Sequence, residues 1–277
     1  MNSIKPFNVA IIGLGAIGQT VADYVINEDN KVALSAILCR DQEKHKKLHA
    51  LKGEKFTSLI TNDIDEVLAA KPDLIVEAAG QESLAQYGPK ILESGISILV
   101  SSIGLFTDDK IFYEFVSIAE RHGAKILLSS GALPAIDWMS AAALSEVNSI
   151  AITQSKPVNS WIGTPAEQFV ELSKITEVTP FFTGTAREAA NLFPKSSNIT
   201  AMLALATVGL DHLNVELVAD PHSSEMQTNI EFNSDVGSLK TSWLGVPSNL
   251  TPSTSADVPF AIIRAIKNLS STVVYGL

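Results

Sequence analysis

Residues 8–40 constrain the fold more tightly than any other stretch. Asn8-Val9-Ala10-Ile11-Ile12 is a short apolar run rich in β-branched residues, and it reads as a buried parallel strand. Gly13-Leu14-Gly15-Ala16-Ile17-Gly18 follows without a break. Gln19 to Ile26 then has helical spacing, with Val21, Ala22, Val25 and Ile26 on one side, and Val32 to Leu38 reads as the next strand. A strand, a glycine turn, a helix and a strand within about 30 residues is the frame in which G-x-G-x-x-G becomes a dinucleotide fingerprint. Gly13 permits the tight turn out of the strand. Gly15 leaves bare backbone for a pyrophosphate, and Gly18 lets the helix pack closely. The helix N-terminus adds unpaired N–H groups and a partial positive charge. Gly13, Gly15, Ala16, Ile17 and Gly18 are therefore candidate cofactor contacts.

The end of the second strand bears on which dinucleotide. An NAD-selective site places an acidic residue about 20 residues past the glycines, on the ribose 2′-hydroxyl. Here Cys39-Arg40-Asp41 stands there. Arg40 suits a 2′-phosphate and Asp41 can still reach a hydroxyl, so the expected cofactor is NADP or NAD.

Composition narrows the rest. A chain of 277 residues is long for one core, so two domains are expected. A net charge of −10 argues against nucleic-acid or anionic-membrane partners and leaves a small-molecule substrate. Cys39 is the only cysteine, which excludes an intrachain disulfide and Cys-rich metal sites. His45, His49 and His122 read as surface residues, and no histidine pair has metal-ligand spacing, so no metal is expected. No apolar run reaches the ~18 residues of a spanning helix, and the N-terminal run lacks a cleavage-site pattern. A cytoplasmic protein is the expectation.

Thr57 to Thr61 is a short strand candidate, and Asp63 caps a short helix. Leu74 to Ala79 is the next buried strand, so Ala79 and Gly80 join the cofactor candidates at its carboxyl end, while Glu77 inside it reads as a structural hydrogen bonder. Further strands, Ile96–Ser101 and Lys125–Ser130, alternate with helices Ser83–Leu92 and the one capped at Thr107 or Asp108. This is a Rossmann-type doubly wound α/β domain over residues 1–134. Ala135 to Leu144 is helical and joins it to a smaller α+β substrate and dimerisation domain, 135–277, with the option of 255–277 packing back on the first domain. That second part reads as a strand at Ile150–Thr153, a helix start at Thr164-Pro165, and helices at Thr185–Leu192 and Ser197–Val208. Antiparallel strands at Asn214–Ala219, Gln227–Phe232 and Val236–Trp243 follow, then a closing helix, Val258–Leu269. A flat sheet there suits pairing into a homo-oligomer.

The residues resemble the L-aspartate dehydrogenase family nearly end to end. The similarity rests on the glycine turn, Val76-Glu77-Ala78-Ala79-Gly80, Ser130-Gly131-Ala132 with Asp137, and Lys156-Pro157 with Gly163-Thr164-Pro165. It continues through Gly184-Thr185-Ala186-Arg187-Glu188-Ala189-Ala190, Phe193-Pro194-Lys195, Asn198 and Val218-Ala219-Asp220-Pro221. The resemblance implies hydride transfer between NAD(P) and the Cα–N centre of aspartate, through iminosuccinate, with Ala132 and Asn198 touching the cofactor. Four places depart. The family's catalytic His is Thr228 here, with Met226 in place of the Asn two residues earlier. The family's glycine pair is Pro134-Ala135, and the late Lys is Ser253. Thr228 cannot titrate near neutrality but can position a water or bond a carboxylate. His222, directly after Asp220-Pro221, is the other catalytic candidate, and its alternative is an exposed turn histidine. Lys195, Arg187 and Lys156 are available for substrate carboxylates. Two other readings stay open: a cofactor-binding sensor without turnover, and a dehydrogenase of a different small acid.

Overall fold

The computed structural model describes residues 5–28, 31–251 and 254–276. The chain forms two compact units. One runs to Ser129 and takes in Pro259–Tyr275; the other covers Ser130–Val258.

In the first unit β1 (Phe7–Ile12), α1 (Ala16–Glu28) and β2 (Val32–Leu38) realise the opening strand–turn–helix–strand. The stretch after Arg40 carries α2 (Gln42–Leu48) and α3 (Glu54–Thr57), so the strand expected at 57–61 shrinks to β3 (Ile60–Thr61). The reason is local: Gly53 opens α3 with φ +88°, and the turn buries Phe56 against the core. His49 is likewise buried, not on the surface, and its imidazole pKa is lowered, chiefly by desolvation. The helix α4 (Ile64–Ala69) starts where Asp63 accepts from the Asp65 N–H. Then come β4 (Leu74–Glu77), α5 (Gln81–Glu93), β5 (Ser97–Val100), α6 (Asp109–His122) and β6 (Ile126–Leu128). Asp108 caps α6 and Gly123 ends it in the left-handed conformation. The six strands are parallel, in the order β3-β2-β1-β4-β5-β6. Val9, Ile11, Val21, Ile37, Val76 and Leu99 form the core on one face.

The second unit begins with α7 (Ile136–Ala142) and the long strand β7 (Val147–Pro157). Thr164 accepts from the Ala166 N–H at the start of a short 3₁₀ turn, and Glu167 reaches back to the Gly163 N–H. A strand that sequence patterning misses, β8 (Thr179–Thr185), follows; Pro180 suits its place at the sheet edge. A reciprocal cap between Thr185 and Glu188 starts α8 (Ala186–Leu192), and α9 (Asn198–Ala206) follows the Phe193-Pro194 break. Strands β9 (Asn214–Asp220), β10 (Met226–Ser234) and β11 (Gly237–Gly245) complete a sheet of order β11-β10-β7-β9-β8. The three strands read as antiparallel do not form one continuous meander of hairpins. β10 and β11 form such a hairpin, but β7 lies between β10 and β9, and β9 runs parallel to it. A crossover through β8, α8 and α9 allows that direction. Ile152, Leu217, Ile230 and Phe232 on one sheet face pack with Ala189, Leu203 and Ala204 of the helices.

The closing helix α10 (Val258–Ser270) buries Ile262, Ile263 and Ile266 in the core of the first unit. Among the described residues no helix is long and apolar enough to cross a membrane. Ala135, where the resemblance expects glycine, keeps a left-handed backbone at φ 54°, ψ 24°. Ala135→Gly should therefore raise stability by about 0.5–1 kcal/mol, the strain relieved less the added freedom of the unfolded chain. A urea midpoint that falls would contradict this.

Candidate active site

The glycine turn separates into residues with internal duties and one without. A Cβ on Gly13, which sits at φ +97°, would meet the Ala78 carbonyl oxygen at 2.6 Å. A Cβ on Gly18 would overlap the Gly13 carbonyl oxygen. Both glycines are demanded by packing alone. A Cβ on Gly15 meets nothing within 4 Å, and its backbone is exposed. Packing gives no reason for a missing side chain there, whereas a diphosphate lying on the backbone does. Ala16 and Ile17 are partly exposed at the start of α1, behind that opening. The turn thus fits a dinucleotide.

The neighbouring strand ends are tied by one carboxylate. Glu77 is fully buried at the end of β4. Its Oε1 accepts from the Ala79 and Gly80 N–H groups at 2.8 and 2.9 Å and from the Ser102 hydroxyl at 2.9 Å. Its Oε2 accepts from the Ser102 and Ser101 N–H groups at 3.0 and 3.3 Å. Five donors offset the loss of water around the charge, so Glu77 is a structural hydrogen bonder. The Ala79 and Gly80 N–H groups are thereby committed, although Ala79 itself is exposed beside the turn that Gly13 touches.

At the end of β2, Arg40 is exposed. Asp41 accepts from the Lys44 N–H at 2.9 Å and caps α2, so its carboxylate is partly spent within the protein. Cys39 is buried, and burial pushes its thiol pKa up.

In the second unit Ala132 is buried in the turn after β6. Asn198 is the exposed first residue of α9, with Ser197 rather than Asn198 at the N-cap. Thr228 is buried on β10 and pairs with Gln154 of β7. His222 is exposed in the turn after β9, where its N–H bonds Asp220 at 2.8 Å. Arg187 is engaged in a two-point ion pair with Asp211, which lowers that carboxyl's pKa, chiefly by its hydrogen bond. The side chain of Lys195, and Ser253, lie outside the described part. Lys156 donates to the Ser196 hydroxyl at 2.8 Å and stands 4.8 Å from the Trp161 ring centre. Desolvation lowers its pKa from 10.5 to about 8. That bond joins β7 to the turn that leads into Asn198. Gln154 is the residue that sequence reasoning missed; one amide among the several polar residues of β7 gave no spacing signal. Among the described residues no three His, Cys, Asp or Glu side chains come together as a metal site.

An open glycine turn on a six-stranded parallel sheet, followed in the chain by an α+β unit, defines a dinucleotide-binding protein. Residues 13–129 match the family described as homoserine dehydrogenase, NAD binding domain, and residues 137–269 match aspartate dehydrogenase, C-terminal. The L-aspartate dehydrogenase of Cupriavidus necator is 34% identical over 266 residues, 96% of this chain and 98% of that protein. That of Pseudomonas aeruginosa is 34% identical over 94% of this chain and 97% of its own length. The crystal structure of aspartate dehydrogenase from Thermotoga maritima shares the fold, with a TM-score of 0.74 at 22% identity, over 98% of this chain and 99% of that one. The chain belongs to the L-aspartate dehydrogenase family, and it is an NAD(P)-dependent amino-acid dehydrogenase.

Gly15→Ala should leave the melting temperature unchanged and weaken NAD(P)H binding at least tenfold, whereas Gly18→Ala should cost about 3 kcal/mol of stability through overpacking. Fluorescence titration and thermal melts of the two variants separate these roles. Equal losses of stability would show that Gly15 too is a packing residue.

Proposed function

We propose that this protein interconverts aspartate and iminosuccinate, and hence oxaloacetate and ammonia, at the expense of NADP or NAD. The observation that carries this reading is the end-to-end likeness to curated L-aspartate dehydrogenases, coupled to a glycine turn left open at Gly15. The cofactor, when bound, takes or gives the hydride. The protein holds and orients the reactants.

In this reading the turn from Gly13 to Gly18 carries the diphosphate, with Ala79 and Gly80 along its nicotinamide side. Ala132 and Asn198 touch the cofactor, as the family likeness suggests. Arg40 binds a 2′-phosphate; its exposure at the end of β2 supports this. Thr228 occupies the place of the family's catalytic His and positions the water that hydrolyses the imine, without itself exchanging a proton. His222 is the nearest histidine in sequence and the fallback proton carrier; its exposure weakens that role. A homo-oligomer and a cytoplasmic location belong to the same reading. The exposed Leu244 and Val246 at the end of the edge strand β11 favour pairing of subunits.

NADPH or NADH consumption with oxaloacetate plus ammonia tests the activity. Wild type should turn over slowly, and Thr228→His should raise kcat about tenfold or more, within the range of general acid–base catalysis. Cofactor binding without consumption in either protein would favour a changed substrate. Arg40→Ala should lose NADPH affinity at least tenfold and NADH affinity little; equal losses would remove the 2′-phosphate role.

A further inference from the structure

Gln154 and Lys156 are alternate residues of β7, so their side chains leave the same face of the sheet. Thr228 pairs directly with Gln154 across the β7–β10 ladder and joins them on that face. Gln154 is 3% exposed, and its Nε2 is buried with no hydrogen-bond partner among the described residues. The Lys156 ammonium has the Ser196 hydroxyl and the Trp161 ring as neighbours, and among the described residues it makes no ion pair. A partly buried cation without an anion and a buried amide without an acceptor are both costly. They stand on one face, and both ask for an acceptor.

Among the described residues, the neighbours paired with them across the ladder supply no carboxylate. Opposite Lys156 on β9 is Ala219, and opposite Gln154 is Leu217. Glu216 belongs to the other face, where it accepts from Thr153. Asp220, one residue past Ala219, accepts from the His222 N–H. A small anion with two acceptor oxygens would meet both needs.

We propose that Lys156 and Gln154 form the receptor for a substrate carboxylate, one oxygen taken by the ammonium and the other by the amide, with the Thr228 hydroxyl at its rim. This rests on the amino-acid dehydrogenase reading and assigns two specificity residues to it. Ser196 holds the ammonium in place, and the same turn leads two residues on to Asn198. The receptor and the family's cofactor contact are therefore carried by one short segment. Threonine at 228 offers a hydroxyl that can donate to a bound carboxylate but does not exchange a proton near neutrality.

Succinate, a dicarboxylate that is not turned over, is the probe. Calorimetric titration of the full-length protein, with NADPH present, should show binding that Lys156→Met weakens at least tenfold and Gln154→Leu at least threefold. Lys156→Arg should retain it. Wild-type affinity should decline as pH rises through about 8, because the ammonium loses its proton, and the Arg variant should stay flat to pH 10. In turnover, the Lys156→Met loss should fall on the KM of the carboxylic substrate more than on kcat. Circular dichroism checks that each variant is folded, and Gln154→Leu serves if Lys156→Met is not. Undiminished succinate binding in the folded variants overturns the proposal, as does no binding to wild type. It is equally overturned by sulfate binding as tightly as succinate, an adventitious ion only, or by a loss confined to kcat. Failure of aspartate turnover would strike the functional reading alone, since succinate binding is read without it.

Discussion

The contact between Gly18 and the Gly13 carbonyl sets the first unit. It seats the start of α1 directly on the turn out of β1, nearer than any side chain permits. That closeness points the helix N-terminus across the carboxyl end of the parallel sheet, where the partial positive charge of the helix is useful to a diphosphate. Gly13 repeats the constraint on its other side, against the Ala78 carbonyl at the end of β4. Two glycines used for packing thus define the space in which a third, Gly15, is left for a ligand.

Glu77 extends the same logic to the next two strands. Parallel strands end in backbone N–H groups that the ladder no longer serves, and burial makes each costly. One carboxylate accepting from Ala79, Gly80, Ser101 and Ser102 satisfies these groups without a counter-cation. In the second unit the balance is reversed. Lys156 and Gln154 are donors left over on a face otherwise filled by Ile152, Leu217 and Ile230. A core that tolerates such groups gives up stability for recognition, a trade expected where a charged ligand is to be bound.

Much of this was legible before any coordinates. Strand β2 runs from Val32 to Leu38 as its apolar pattern indicated, and the caps at Asp63, Asp108 and Thr164 all act through their side chains. Those signals are local, set by spacing and by the donor needs of helix ends. The missed elements lack such signals. The helix α2 is built from Gln42-Glu43-Lys44-His45-Lys46-Lys47-Leu48, with no buried residue to mark its face. Strand β8 joins Pro180 to two phenylalanines and a glycine, and it holds as a strand because β9 is there to pair with.

The residues by themselves determined the nucleotide turn, the alternation that builds a parallel sheet, and the family, because these depend on short-range geometry and on end-to-end similarity. Tertiary structure alone decided that β9 lies parallel to β7 and that Arg187 is spent on Asp211. It also decided that Gln154, Lys156 and Thr228 share one face. Those outcomes depend on which strands become neighbours across long stretches of chain, and strand pairing over such separations leaves no periodic trace in the order of amino acids.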